Sequence, residues 1–443
     1  MDKSAREHLA QHVLAMCDCD AAEALVLHDN SALTRFTHNA IHQNVAYADT
    51  TVSIRAVCDS RTGVARTNAL DDGSLRAAAR RAIELAKLAP KSDVETALPE
   101  KAPYATVHDA YISATAQATA HRRAHMVSDV FEMAYASELW CAGFLTNSAQ
   151  GVTVANSTGV LASFDTSDAG LNVKMNAADS TGYAEAFDHD IDQVDASAAA
   201  KVAASKATHS KAPEPVKPGL WTVILEPPAF GELFSYLIDH FSAQAYDEGS
   251  SFLCDGIDRR YMSENVNIWD DFSHPLAPRM PFDFEGAPTQ RLALIENGIG
   301  RTVVTDSHWA AKLQRPNTGH ALPAPNAAGP MPRSTVVLPG SKSRQELISE
   351  TQRGLLVSRF WYIRPVDQRR TIVTGMTRDG TFLIEDGKIA GGVRNMRFNQ
   401  SILEAMRSCE LSNELRRTGS YFYSTVVPAV KIDRFCFSSV TDF

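Results

Sequence analysis

The sequence predicts an α+β protein of two domains, a mixed helix and strand N-terminal domain and a mainly antiparallel β C-terminal domain. Helical and strand-like segments occur in blocks, without the strict βαβ alternation of a parallel sheet. Residues 208–219 contain three prolines in twelve residues, a density typical of a linker because proline fixes φ and removes a backbone donor. We therefore place the domains at residues 1–207 and 220–443, joined by the linker 208–219.

The N-terminal domain is predicted to hold four helices and two groups of strands. Helical periodicity and alanine content mark residues 5–17, 71–90, 112–137 and 194–207. Asp72 or Ser74 is suited to cap the second helix, and Pro90 lies beyond its end. β-Branched runs separated by turn residues predict strands within 22–70 and 141–168.

The C-terminal domain is predicted to begin with a strand at 220–227 and one helix over 231–251. Pro227 and Pro228 suit the first turn of this helix, and Gly249 is placed to end it. An apolar stripe indicates a regular amphipathic helix, and its members are Phe230, Leu233, Phe234, Leu237, Ile238, Phe241 and Ala245. Mostly strands and turns follow, and the proline-rich segment 316–339 is predicted to be an exposed loop or lid.

Composition argues against several classes of protein. The 443 residues carry a formal net charge of −9 and no long basic run, which disfavours nucleic acid binding because that affinity comes mainly from Lys and Arg. No apolar run approaches the ~18 residues that span a bilayer, so no membrane association is expected. Seven scattered cysteines and an N-terminal segment without a signal-peptide core predict a reduced, cytoplasmic protein.

Several segments along the chain form one ordered set of motifs: LHDNSALTRFTHNAIHQN (27–44), residues 53–90, VANSTGV (154–160), MPFDFEGAPTQRLALIENGIG (280–300), NTGHALP (317–323) and FLIEDGKIAGGVRNMRF (382–398). In register, they resemble the TldD/PmbA (TldE) family of modulator-of-DNA-gyrase-like metalloproteases, and the resemblance covers about residues 20 to 435. Within that family, TldD-type chains carry H-E-x-x-x-H on a helix after the linker and a cysteine near the C-terminus, which together bind zinc. TldE-type chains, also called PmbA, lack these ligands and pair with TldD.

Aligned with the TldD pattern, Ser235 falls at the first histidine, Tyr236 at the glutamate and His240 at the second histidine. The resemblance places the expected cysteine near residue 414, where none occurs, and Cys409 and Cys436 are the nearest. A hydrolytic zinc needs about three protein ligands and a base, whereas serine is a poor ligand and a phenol with a pKa near ~10 is a poor base. We therefore expect no catalytic residue and no metal ligand in this chain.

His240 and His320 are the weak alternatives for a metal site. On a regular helix, positions 235 and 240 lie about 140° apart, so His240 is interpreted as an ordinary, partly buried histidine. His274, His308 and His320, with Glu285, are considered as a noncanonical site, and His320 is considered as a residue facing a cavity beside the proline-rich loop. The segment PFDFEG (281–286) is interpreted as structural, with carboxylates that hold backbone donors and a glycine that serves a turn.

The resemblance implies a TldE/PmbA-like, non-catalytic subunit of a TldD/TldE-type metalloprotease that cleaves unfolded or leader peptides. No cofactor is expected in this chain, and zinc is expected in a TldD-type partner. The chain would form a heterodimer with that partner or a homodimer, and sheet edges would bind an extended peptide substrate through backbone hydrogen bonds. Two alternatives stay open: a metallopeptidase in its own right with a divergent metal site, and a non-proteolytic peptide-binding homodimer.

Overall fold

The computed structural model describes residues 1–94, 97–419 and 424–441, and its strands form three sheets. The α+β prediction, with antiparallel pairing dominant in the C-terminal half, is confirmed. The division at 208–219 stays a prediction, and residues 420–423 and 442–443 of the predicted C-terminal domain lie outside the described residues. No helix in the described ranges has the length and hydropathy needed to cross a bilayer.

The N-terminal half contains one six-stranded antiparallel sheet in the order β3-β2-β1-β4-β5-β6. Its elements in chain order are α1 (Lys3–Leu14), β1 (Ala21–Thr37), β2 (Ala40–Cys58), β3 (Arg61–Thr67), α2 (Asp72–Leu88), α3 (Ser113–Ala116), α4 (Ala120–Ala136), β4 (Trp140–Asn156), β5 (Leu161–Asn176), β6 (Thr181–Asp188) and α5 (Ala196–His209). The helices α1, α2, α4 and α5 pack on the sheet through buried alanines and aliphatic residues. On the opposite face, Leu25 and Val154 pack against Phe282 of the C-terminal half. This second face therefore lies against the C-terminal half of the chain.

The C-terminal half contains two sheets with short helices between their strands. Its elements in chain order are β7 (Gly219–Leu225), α6 (Pro227–Ile238), α7 (Ala243–Asp247), β8 (Ile268–Asp270), β9 (Leu292–Glu296), β10 (Ile299–Gly300), α8 (Ser307–Leu313), β11 (Thr335–Val337), α9 (Arg344–Ser349), β12 (Arg353–Asp367), β13 (Ile372–Glu385), β14 (Lys388–Gly392), β15 (Met396–Ser401), α10 (Ile402–Met406), β16 (Cys409–Leu411), β17 (Arg416–Gly419), β18 (Ser424–Val427) and β19 (Val430–Val440).

Five of these strands pair in a closed ring. The order β12-β7-β19-β15-β13 returns to β12 because β12 also pairs with β13, while β14 and β16 are attached at the side. Phenylalanines fill the ring, with Phe360 and Phe398 at 4.6 Å and Phe398 and Phe435 at 5.3 Å between ring centroids. Closure leaves few free edges on these strands, and the aromatic core fixes their register.

Helix α6 packs between this ring and the second sheet, which has the order β10-β9-β8-β11-β18-β17. The apolar stripe predicted from Phe230 to Ala245 is buried along its whole length, so that prediction is confirmed. Gly231 makes the packing possible, because a Cβ at this position would lie 2.1 Å from Oγ1 of Thr418 on β17. Pro227 and Pro228 occupy the first turn of α6 as predicted.

The prediction of one regular helix over 231–251 is wrong. Helix α6 ends at Ile238, a 3-10 turn covers Asp239–Phe241, and the chain becomes extended at Ser242 before α7 begins. The break allows Ala243 to donate a backbone hydrogen bond to Val304, a tertiary contact that a continuous helix would not form. Gly249, with φ of +78°, follows the end of α7.

Three smaller predictions also need correction. The segment 112–137 forms two helices, α3 and α4, rather than one. Asp71 caps α2, since its side chain accepts from the backbone N–H of Ser74. The proline-rich segment 316–339 is largely buried and exposes mainly residues 325–328, because its backbone and polar side chains bind the loops around it.

Candidate functional site

The three positions aligned with the zinc motif line a single cavity of about 640 Å³. Ser235, Tyr236 and His240 face it from α6 and the following 3-10 turn, and the β12 segment from Trp361 to Pro365 forms the opposite wall. Tyr236 and His240 lie four residues apart, a spacing that also places two side chains on one face of a regular helix. The structure therefore brings together the residues that the sequence singled out.

The hydroxyl groups of Ser235 and Tyr236 are both engaged with backbone carbonyls. Ser235 Oγ donates to the carbonyl oxygen of Glu232 at 2.8 Å, one turn earlier in α6. Tyr236 Oη donates to the carbonyl oxygen of Ile363 at 2.7 Å and thereby ties α6 to β12. Burial raises the pKa of Tyr236, so the phenol keeps its proton at neutral pH. Neither group is arranged as a metal ligand or a base.

His240 is almost completely buried, with 2% of its surface exposed. Its Nδ1 accepts a hydrogen bond from the backbone N–H of Phe252 at 3.3 Å, and its ring lies 5.3 Å from the Phe252 ring. Because Nδ1 is the acceptor, the neutral ring carries its proton on Nε2. Burial, together with the nearby Arg369, lowers the pKa of His240 to about 4. The imidazole is therefore neutral at physiological pH, and more buried than predicted.

A zinc ion does not fit this set of side chains. An imidazole that binds a metal uses the lone pair of one nitrogen, and its other nitrogen usually donates a hydrogen bond. In His240, Nδ1 accepts a hydrogen bond from Phe252 and Nε2 carries the proton. A metal at Nε2 would require Nδ1 to carry the proton, although Nδ1 faces the N–H of Phe252. Ser235 and Tyr236 supply hydroxyl groups that donate to carbonyls. No group of three or more His, Cys, Asp or Glu residues that could hold a metal occurs within the described residues.

The cavity also contains Glu232, a residue that the sequence analysis missed. Burial raises the pKa of Glu232 to about 7, and Arg359 opposes this shift while Glu185 adds to it. A carboxyl group that titrates near neutral pH is unusual, and such groups concentrate at functional sites. The sequence could have pointed to Glu232 through its position, because it lies three residues before Ser235 on the same helix.

Exposed aromatic residues flank the cavity on the β12–β13 hairpin. Trp361 is 42% exposed and Tyr362 is 61% exposed. Arg364 lies 4.3 Å from the ring centroid of Tyr362, and Arg378 lies 5.1 Å from that of Trp361. Amphipathic aromatic residues held over arginines at a surface are typical of protein and peptide contacts.

The noncanonical site of His274, His308, His320 and Glu285 is not formed. His320 is fully buried, with Nε2 3.2 Å from Asp270 Oδ1 and Nδ1 3.0 Å from Thr318 Oγ1, so it does not face an open cavity. It ties the proline-rich segment to β8. The alternative in which it faces a cavity therefore does not agree with the structure, because both ring nitrogens have partners inside the fold.

The structural interpretation of PFDFEG is supported by its contacts. Asp283 accepts from the backbone N–H groups of Glu285, Ala287 and Ala321, and Gly286 has φ of +83°. Glu285 accepts from the backbone N–H of Ser307 and from Arg55. These carboxylates organise loops between the two halves of the chain.

The two cysteines nearest the expected third ligand lie in neighbouring strands of the C-terminal half. Cys409 lies in β16, and Cys436 lies in β19. Burial raises the pKa of Cys409 to about 12, so its thiol stays protonated. A protonated, buried thiol is an ordinary core residue.

Family models match this chain over both halves. Residues 218–439 match the PmbA/TldA metallopeptidase C-terminal domain, and residues 22–86 match the PmbA/TldA metallopeptidase domain 1. The chain belongs to the PmbA/TldD family. The resemblance stated from the sequence is thereby confirmed, and the family is one of metalloproteases.

Individual curated relatives that match this chain are also named as metalloproteases. A metalloprotease of Methanothermobacter thermautotrophicus is 25% identical over 215 residues, which are 46% of this chain and 45% of that protein. A zinc metalloprotease TldD homolog of Saccharolobus solfataricus is 26% identical over 208 residues, 44% of each chain. The match thus spans less than half the length of these curated relatives.

The crystal structure of TldE from Thermococcus kodakarensis has the same fold. Its TM-score is 0.89 at 21% identity, and the alignment covers 98% of this chain and 100% of that one. At this identity the likeness establishes the fold alone.

Proposed function

We propose that this chain is a non-catalytic, TldE/PmbA-like subunit of a TldD/TldE-type metalloprotease. The observation that carries the proposal is the hydrogen-bonding state of His240, whose Nδ1 accepts from Phe252 and whose Nε2 therefore holds the proton. Ser235 and Tyr236 replace the other two motif positions with hydroxyl groups that donate to carbonyls. Zinc and the catalytic base would belong to a TldD-type partner.

The cavity beside α6 would then serve the partner or the peptide rather than hydrolysis. It is a large, mainly apolar hollow bordered by Trp361 and Tyr362, and such a surface suits side chains of an extended, unfolded peptide or of a partner subunit. Cleavage of unfolded or leader peptides in the cytoplasm is the activity we assign to the complete assembly.

Metal content and peptide cleavage test this proposal together. The chain is purified alone and after co-expression with a TldD-type subunit, zinc is measured by mass spectrometry, and cleavage of an unfolded peptide is followed. We expect little zinc and no cleavage from the chain alone. With the partner we expect cleavage that exceeds the partner's own activity and that a chelator abolishes.

Two variants test whether the cavity contributes to stimulation of the partner. Replacing Trp361 and Tyr362 together by Ala is expected to reduce the stimulation of the partner about tenfold, a loss typical of aromatic residues at the centre of an interface. Tyr135→Ala, at an exposed tyrosine on α4, is the matched control and should leave stimulation unchanged.

The two alternatives give different outcomes. Near one zinc per chain with chelator-sensitive cleavage by the chain alone would establish a metallopeptidase in its own right and overturn the proposal. Tight binding of a linear peptide by a homodimer, with no stimulation of any TldD-type subunit, would instead establish a peptide-binding protein.

A further inference from the structure

A second cavity, of about 320 Å³, lies between the two halves of the chain. One wall is the sheet face that packs on the C-terminal half, where Ser148 and Val152 on β4 and Thr166 on β5 point towards the cavity. The other wall comes from the loop 278–284 and from residues 333–334. Three arginines, Arg279, Arg333 and Arg417, also line it, and we call it the arginine cavity.

Arg279 has the fewest hydrogen-bond and ion-pair partners of these three arginines. It forms no hydrogen bond and no ion pair with any residue in the described ranges, and its Nε is buried without a partner. Nε–H is one of the five N–H donors of a guanidinium, and burying even one donor without a partner is costly. A side chain in this state is suited to receive an anion from outside the chain.

Arg333 is only partly satisfied. Its Nη2 donates to the carbonyl oxygen of Phe282 at 3.2 Å, its Nη1 lies 3.8 Å from the sulfur of Met280, and its Nε is buried without a partner. Its guanidinium lies 5.0 Å from the ring centroid of Phe284. These contacts hold the guanidinium in one orientation, and the nearby carboxylates of Asp283 and Asp270 partly balance its charge.

The other described charged residues that line the cavity do not pair with Arg279. Arg417 is paired with Asp168, which is the one carboxylate among the described residues lining the cavity, and its Nε donates to Ser424 at 2.9 Å. His189 also lines the cavity, and its ring nitrogens lie 2.9 Å and 3.0 Å from the carbonyl oxygens of Ser167 and Ala277. Arg279 therefore faces this space without an ion-pair partner among the described residues, beside an Arg333 whose charge is partly balanced by Asp270 and Asp283.

We propose that the arginine cavity binds a carboxylate group of a linear peptide through Arg279 and Arg333. Planar guanidinium groups match the two oxygens of a carboxylate, and the apolar walls of Val152, Met280 and Phe284 suit the carbon atoms next to it. The inference rests on the proposed role in peptide handling, and it names what the chain itself recognises. The carboxylate is supplied either by the C-terminus of the peptide or by an acidic side chain.

Fluorescence anisotropy with three labelled peptides on the full chain tests the site and separates the two sources. One peptide has a free C-terminus and no acidic residue, the second is amidated and contains one internal Glu, and the third is amidated with Gln in place of that Glu. We expect one of the first two to bind at least about tenfold more tightly than the third, a difference in line with a charge-assisted pair.

Arg279→Gln is expected to bring the preferred peptide down to the affinity of the neutral one. Because Arg279 has no partner in the described ranges, this variant should fold normally, which thermal unfolding checks; Arg279→Lys should retain part of the preference. Arg61→Gln, at an exposed arginine paired with Asp59, is the matched control and should bind like the unmodified chain.

Equal affinity for all three peptides, or a preference that survives Arg279→Gln, would overturn the site. Stimulation of a TldD-type subunit is measured on the same samples and distinguishes this failure from failure of the proposed function. Loss of the carboxylate preference with stimulation intact refutes only the site, whereas carboxylate binding without any stimulation refutes only the subunit role.

Discussion

The imidazole of His240 illustrates how one residue type carries different chemistry in different surroundings. Its identity matches a zinc ligand of TldD-type chains, yet the backbone N–H of Phe252 occupies Nδ1 and burial keeps the ring neutral. Glu232, in the same cavity, is shifted in the opposite sense, since burial raises its pKa to about 7. At the residue scale, the environment decides what each titratable group can do.

The lowered pKa of His240 predicts a pH dependence of stability. Between pH 6.5 and about 4 the unfolded chain protonates this histidine and the folded chain does not, so the free energy of unfolding falls as the pH falls through this range. His240→Gln should reduce the loss between pH 7 and pH 4.5 by on the order of 2 to 3 kcal/mol. Urea unfolding at the two pH values measures it. His8→Gln, at an exposed histidine, is the control, and an equal pH effect in all three proteins would contradict the prediction.

Helix α6 shows how an element is shaped by what it packs against. Its apolar stripe was visible in the sequence, but the break after Ile238 follows from a backbone hydrogen bond between Ala243 and Val304. Its close approach to β17 depends on Gly231, although glycine is a poor helix former. At the element scale, tertiary contacts override local propensity.

Gly231→Ala is therefore expected to destabilise the protein, although Ala favours helices by about 1 kcal/mol. The added Cβ would meet Thr418 Oγ1 at 2.1 Å, and overpacking of this kind costs about 1 to 3 kcal/mol. Thermal or urea unfolding measures the change.

Gly73→Ala, in the first turn of α2, is the matched control, because the only close neighbour of the added Cβ is the exposed carboxylate oxygen of the capping residue Asp71 at 3.2 Å. This variant should be neutral or stabilised by up to about 1 kcal/mol. Adding Thr418→Ala to Gly231→Ala should give a smaller loss than the sum of the single losses. Additive losses would show that the two side chains do not clash.

At the scale of the whole molecule, a buried ion triad joins the two halves. Arg55 on β2 donates from Nη2 to Glu23 on β1 at 2.6 Å and from Nη1 to Glu285 of the C-terminal half at 2.7 Å. Both carboxylates are almost completely buried. Removing the cation would leave two buried negative charges, which is far more costly than losing an exposed pair.

Arg55→Met should thus lower the free energy of unfolding by about 3 to 5 kcal/mol, with a larger loss at pH 8 than at pH 5 because acid can protonate the orphaned carboxylates. Urea unfolding at both pH values measures this loss. Arg61→Met, at the exposed pair with Asp59, should change stability by less than about 1 kcal/mol. Similar losses in the two variants would mean that the triad does not couple the halves.

The sequence alone was enough to predict the fold class, one buried helix face and the family of this protein. The blocks of helices and strands indicated the α+β class, the apolar stripe from Phe230 to Ala245 predicted a buried face, and the segments quoted from residue 27 to 398 indicated the PmbA/TldD family. These features depend on local periodicity, on turn residues and on residue identity at fixed spacing, all of which can be recognised without knowing which segments meet.

Only the tertiary structure decided the rest. The end of α6, the burial of His320 and the unpaired Nε of Arg279 depend on contacts between segments far apart in the chain, which no local pattern encodes. The same is true of the closed ring of strands, since β12 pairs with both β7 and β13. The physical reason is that hydrogen bonds and burial are settled by the nearest neighbours in space, and the fold chooses those neighbours.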